Sequence, residues 1–234
     1  MKSSTKVQIY LGAATEQDVL DCVSCKPDFM GFVADDNIIG NEALDGHVLP
    51  SLSQVKHLFT LIPNHICKVA LVFRNSFDDI ASVLEYLQPD VVHIACKKPI
   101  PLAELSKLRS TFSHVKIMLA IAINKPNAIT VALGYQHLCD YFLLDSEGSD
   151  EEHPYGVGAT GATHDWNTSA ELVNRVAIPV VLAGGLSVNN VNQAINIVKP
   201  WAVDSFTHTN LAPNRLSRKD PKKVSAFINL VKGD

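Results

Sequence analysis

The sequence predicts one α/β domain over residues 1–234, folded as a single parallel (β/α)8 barrel of the TIM-barrel class. Three observations carry this reading. Eight short β-rich apolar runs alternate with eight helix-period segments from end to end. Most of those runs lack polar alternation, as strands buried on both faces of a parallel sheet do. The length, 234 residues, is near the ~250 that one such barrel uses.

In order, Val7–Tyr10 is the first strand and Thr15–Cys25 the first helix, with a Thr cap and Glu16 and Asp18 in its first turn. Phe29–Val33 is followed by Leu52–Ile62, whose Leu52, Val55, Leu58, Phe59 and Ile62 form a helical stripe. Cys67–Phe73 precedes Ser76–Leu87, which opens on Ser with Asp78 and Asp79 early and repeats Ile80, Val83, Leu84 and Leu87. Val91–Ala95 pairs with Pro101–Phe112, and Lys116–Ile121 with Asn127–Gly134. Tyr141–Asp145, Val180–Ala183 and Ala202–Phe206 precede Thr168–Arg175, Val188–Val198 and Pro221–Val231. A doubly wound open sheet is the rival. It wants GxGxxG after the first strand, and Leu11-Gly12-Ala13-Ala14 does not supply it.

Hydrophobic residues make up 47% of the chain and charged residues 19%, an ordinary soluble composition. The formal charge is −4, with no long basic run, so neither nucleic acid nor a membrane surface is expected as a partner. Val7 to Ala14 is short and interrupted by Gln8, and it reads as a buried strand, not a signal peptide. Runs such as Ile117 to Ile123 fall far below membrane-spanning length. The cysteines (Cys22, Cys25, Cys67, Cys96 and Cys139) are odd in number and scattered, which argues against a disulfide framework and for a cytoplasmic location. Cys22 and Cys25 form a CxxC late in a helix, whereas a redox CxxC opens one. No second CxxC completes a zinc site, so helix packing is the expected role.

Chemistry in this fold sits at the carboxyl ends of the strands. After strand seven, Gly184-Gly185-Leu186 lets the backbone approach a ligand and aim N–H groups at an anion, with Ser187 expected to cap the next helix. This predicts a phosphate cradle, with a plain tight turn as the alternative. After strand six, Gly158 to Thr163 is a small-residue loop, including Gly161 and Thr163; a ligand-closing loop and an ordinary connection remain equally open. Asp145 ends strand six among apolar neighbours and is a candidate general acid or base. On local chemistry alone, a loop cap is the simpler reading. The acidic stretch from Asp145 to His153 reads as a solvated loop in preference to a metal site.

Taken together, Phe142 to Ser146, Gly158 to Trp166, Val181 to Leu186 with Asn189-Asn190-Val191, and Lys199 to Asp204 resemble phosphoribosylanthranilate isomerases. That family shows LLDS, GGTGKTFDW, ILAGGL and RPYGVDVSSGVE in this order. Lys219 to Val224 and Ala226-Phe227-Ile228 resemble its final helix. The match covers roughly residues 140–231. Upstream, Met30-Gly31-Phe32-Val33, Val69 to Phe73 and Asp90-Val91-Val92 agree in outline.

Departures concentrate in the first half. The family's catalytic base is a cysteine just after strand one, and Tyr10 stands at or near that place. The SPR segment after strand two has no counterpart in Ala34 to Gly46, QLHG becomes His93-Ile94-Ala95-Cys96, and the lysine of GGTGKT becomes Ala162. The SSG after strand eight becomes Phe206-Thr207-His208.

The resemblance implies an Amadori rearrangement in tryptophan biosynthesis, without a cofactor, on a phosphorylated small molecule. It assigns the acid to Asp145 and the ligand contacts to Gly161, Thr163, Gly184, Gly185, Leu186 and Thr207. It leaves the base unfilled, since tyrosine titrates near ~10. Cys96, at the end of strand four, is a candidate relocated base, with an inert buried thiol as the plainer reading. The alternative is a divergent phosphosugar-binding barrel with lost or changed catalysis. It would be a non-catalytic binder or a metal-dependent enzyme using His93, His164 and His208 with Asp145. Nothing in the sequence fixes the oligomeric state.

Overall fold

Eight parallel strands close into a cylinder, each followed by a helix packed on its outside. The computed structural model describes residues 5–35, 43–44, 47–148, 156–158, 163–212 and 217–233. The strands are β1 (Lys6–Leu11), β2 (Phe29–Val33), β3 (Cys67–Val72), β4 (Val91–Ile94), β5 (Lys116–Ala122), β6 (Tyr141–Asp145), β7 (Val180–Leu182) and β8 (Ala202–Ser205). The helices are α1 (Glu16–Ser24), α2 (Leu52–Thr60), α3 (Phe77–Leu87), α4 (Leu102–Thr111), α5 (Ala128–Tyr135), α6 (Trp166–Arg175), α7 (Val191–Val198) and α8 (Pro221–Lys232). Neighbours in the sheet follow chain order, and β1 pairs with β8 to close the ring. Every expected strand and helix is present, most of them within two residues of the expected ends.

The helix starts follow from local chemistry. Thr15 and Asp18 form a reciprocal capping box at α1, Ser51 and Gln54 another at α2, and Ser76 caps α3. Asp220 caps α8, with Pro221 in its first turn. Asp165 caps α6, which begins at Trp166, where Asp165-Trp166 read as a helix start, two residues before the stripe that opens at Thr168. One start differs from expectation: Ser187 does not cap α7. Its amide donates to Asn190 Oδ1 (2.8 Å), Asn190 Nδ2 donates to the Gly185 carbonyl (3.0 Å), and the helix begins only at Val191. Two elements were not expected: Ala43–Leu44 pairs antiparallel with His47–Val48, and Thr207–Thr209 forms a 3-10 turn after β8.

Alternate strand residues face outward into the helix layer or inward into the barrel. The outward set, such as Val7, Ile9, Phe32, Ile94, Phe142 and Leu182, makes the larger core with the helices. The inward set fills the cylinder. At its amino end Tyr141 and Trp201 stack with ring centroids 5.1 Å apart, and Phe29 meets Trp201 edge-on at 5.6 Å. Val69, Val91, Met118, Leu143 and Val181 belong to the same inward cluster. At the carboxyl end the inward positions turn polar, bringing Tyr10, His93, Asp145 and Asp204 to the mouth.

An aspartate just before β2, β4 and β6 ties the start of the preceding strand. Asp28 accepts from the Val7 amide (2.9 Å), Asp90 from Lys68 (2.8 Å) and Asp140 from Ile117 (2.9 Å). Trp201 occupies the equivalent place before β8. This repeat escapes a sequence reading, because one residue per unit at unequal spacing has no visible period.

CxxC at the end of α1 serves packing: Cys22 is buried with its thiol pushed by burial up to about 12, and Cys25 Sγ donates to the Asp21 carbonyl. Among the described residues no helix is long and apolar enough to cross a membrane.

Candidate active site

Asp145 and the Gly184-Gly185 turn open into one pocket at the carboxyl end of the barrel, lined also by Leu186, Asp204, Phe206, Thr207 and His208. The glycines adopt φ values of +85° and +61°, which disfavour any residue with a Cβ. The loop is braced from the next strand, where Ser205 Oγ donates to the Leu186 carbonyl (3.1 Å). Thr207 and the 3-10 turn sit beside it. Lys219 anchors that turn from behind by donating to the Phe206 carbonyl and to Thr209 Oγ1 (2.8 Å).

Asp145 is 8% exposed at the end of β6. One carboxylate oxygen accepts the Ser146 amide at 2.7 Å, so the loop-capping interaction exists alongside the pocket-facing position. Gly158 folds over it with φ +103°, and a Cβ there would lie 2.7 Å from Asp145 Oδ2.

Asp204, which motif reading did not single out, is 6% exposed and faces the same pocket from β8. It accepts from Gln8 Nε2 at 3.2 Å. Burial pushes its carboxyl up to about 7; the Gln8 bond opposes that, the Asp145 charge adds to it, and Lys219 opposes it again. Burial likewise brings the Lys219 ammonium down to about 7. The available signal was one aspartate on the inward alternation of an otherwise apolar strand, which is costly unless used or paired.

Tyr10 is inward-facing and 4% exposed, and its hydroxyl is 2.7 Å from His93 Nδ1. Burial, and then the Asp204 charge, hold its phenol well above the ordinary value, so it is a poor proton acceptor. Burial drops His93 to about 3, and the ring is neutral at physiological pH. The Tyr10 ring fits because β2 carries Gly31 in register with it. A Cβ on Gly31 would come within 2.1 Å of Tyr10 Cε1.

The remaining candidates lie elsewhere. Cys96 lines a separate groove with Pro99, Ala122 and Tyr135, and burial raises its thiol to about 11. It does not line the Asp145 pocket; it lies two residues beyond the end of β4, where the chain bridges Gly156. The three histidines do not converge: His93 is inside the barrel, His208 lines the pocket, and His164 bonds Ser169 Oγ (2.8 Å) beside α6. No three His, Cys, Asp or Glu side chains among the described residues are arranged to hold a metal ion. Thr163 is exposed and lines the adjoining groove with Lys125, Ser146 and Arg175. Gly161, Ala162, most of Ala34 to Gly46 and much of the acidic stretch lie outside the described residues.

The family model of N-(5'phosphoribosyl)anthranilate (PRA) isomerase matches residues 49–229. The chain belongs to this family. The PRA isomerase of Methanothrix thermoacetophila is 32% identical over 184 residues, 78% of this chain and 80% of its own. That of Methanocella arvoryzae is 27% identical over 228 residues, 97% and 98% of the two chains. The PRA isomerase structure from Thermotoga maritima superposes with a TM-score of 0.78 at 23% identity, covering 98% of this chain and 100% of its own. A second one, in complex with reduced 1-(o-carboxyphenylamino)-1-deoxyribulose 5-phosphate, gives 0.76 at 22%, with the same coverage. Membership thus extends upstream of the motif-bearing segment to residue 49, and these PRA isomerase structures share the whole barrel.

Proposed function

We propose that this PRA isomerase family member rearranges N-(5'-phosphoribosyl)anthranilate to the aminoketose in tryptophan biosynthesis, as a cytoplasmic enzyme. One observation carries the reading: a buried carboxyl group, Asp145, and a left-handed glycine turn share one pocket at the barrel's carboxyl end. The amides around Gly184, Gly185 and Leu186, with Thr207, hold the substrate phosphate. The family resemblance adds Gly161 and Thr163, from the segment after β6, to the ligand contacts. Asp145 acts as the acid and protonates the ring oxygen as the C1–O bond breaks and the nitrogen lone pair forms C1=N. A base then takes the C2 proton, that electron pair forms C1=C2, the C=N pair returns to nitrogen, and the enol so formed tautomerises to the aminoketose. Tyr10 fills the place of the family's cysteine without its chemistry.

The test is turnover of phosphoribosylanthranilate by the purified protein, with Asp145→Asn beside it. Wild-type turnover that falls by about 10²–10⁴-fold in the variant supports the reading. Unchanged activity in Asp145→Asn removes Asp145 from the mechanism. No wild-type turnover, and no complementation of a tryptophan auxotroph, leaves a phosphosugar-binding barrel.

A further inference from the structure

We propose that Asp204 is the general base, having taken over the C2 proton abstraction for which Tyr10 has no suitable group. The inference rests on the isomerase reading above. Four features support it. Asp204 lines the same pocket as Asp145 and the glycine turn. It stands on β8 beside β1, in register with Gln8 two residues before Tyr10, and so next to the vacated base position. Its charge is felt at Tyr10, and the Asp145 charge is felt at Asp204, so the three groups share one electrostatic environment. Three neighbouring groups do not serve: Tyr10 and His93 are bound to each other, and Lys219 is committed to Phe206 and Thr209, while His208 lines the pocket from the 3-10 turn beyond β8.

The groups facing Asp204 are Gln8 and Tyr10 from β1, Asp145 from β6, Lys219 from the segment before α8, and His208, which lines the same pocket from the 3-10 turn. Burial and the Asp145 charge make this carboxylate a stronger base than an exposed one, with a pKa of about 7. Two carboxyl groups in one site can hold one proton between them, with Asp145 as donor and Asp204 as acceptor. In the step, the C2–H bond breaks, the proton goes to Asp204, and the electron pair enters the C1=C2 bond. The former C=N pair returns to nitrogen, and no external oxidant or reductant is needed.

The experiment compares wild type with Asp204→Asn, which keeps the shape and an acceptor for Gln8. Expected are a loss of about 10²–10⁴-fold in kcat and a larger isotope effect with C2-deuterated substrate. Binding of reduced 1-(o-carboxyphenylamino)-1-deoxyribulose 5-phosphate should stay within a few-fold. Adding Tyr10→Cys to Asp204→Asn should recover activity tenfold or more. Turnover of Asp204→Asn within tenfold of wild type, or equal loss of turnover and of analogue binding, overturns the proposal while leaving the isomerase reading intact. If Asp204→Asn does not fold, the wild-type profile decides: kcat must fall as pH drops through about 7, and a flat profile from about pH 6 to about pH 8 overturns it. Absence of wild-type turnover removes the isomerase reading, and this inference with it.

Discussion

The two sides of the barrel mouth are built from different materials. From β6 to β8 the carboxyl groups of Asp145 and Asp204 sit in a frame of backbone: Gly158, Gly184 and Gly185 at positive φ, and carbonyls braced by Ser205, Asn190 and Lys219. From β1 to β4 the site is side chains, with Tyr10, His93 and the space left by Gly31. A main-chain anion cradle tolerates little change, because only glycine takes those torsions without strain. A side-chain site can be refilled if its neighbours adjust in volume. That contrast accounts for family motifs that are dense after residue 140 and sparse before it.

Three substitutions sharpen the contrast, from the largest effect to the smallest. Gly31→Ala drives a methyl into the Tyr10 ring and should destabilise by about 3 kcal/mol in chemical denaturation. Adding Tyr10→Cys should return most of that loss, and a double-mutant cycle without coupling would break the account of the β1–β2 side. Tyr10→Phe leaves His93 Nδ1 buried without its partner and should cost about 1–3 kcal/mol. Turnover should change less than tenfold; a larger loss would make Tyr10 part of the chemistry. On the other side, Gly158→Ala presses on Asp145 and forces a strained torsion, so kcat should fall about tenfold, equivalent to about 1.4 kcal/mol of barrel-mouth geometry. Its thermal midpoint should shift less than that of Gly31→Ala. The reverse order would show that the β6 side is held by packing after all.

Most of the architecture was legible because strand-length apolar runs and helical stripes each have a period. The errors fall where side chains compete locally with the backbone. Asn190 grips both Ser187 and Gly185 and delays α7, and two-residue strands around residues 43–48 carry no pattern to read. Of the site, Asp145 and the glycine turn were legible from position and motif. Asp204 was not, since its significance lies in what surrounds it: Gln8 from the other end of the chain, 196 positions away. Tyr10 reads in the sequence as a departure from the family's cysteine, while its partner His93 and the accommodating Gly31 are visible only across strands.

The aspartate clasps bind β1 to β2, β3 to β4 and β5 to β6, but the pair β7–β8 has none. The strand register of that pair is short, Val181 with Ala202 and Leu182 with Val203, flanked by the Trp201 amide on the Val180 carbonyl and Ser205 on the Leu186 carbonyl. The glycine turn leaves from one lip of this lightly laced seam and Thr207 from the other. An anion gripped by both would act as the missing stitch, so a bound phosphate would give the cylinder a fastening that its own side chains leave out.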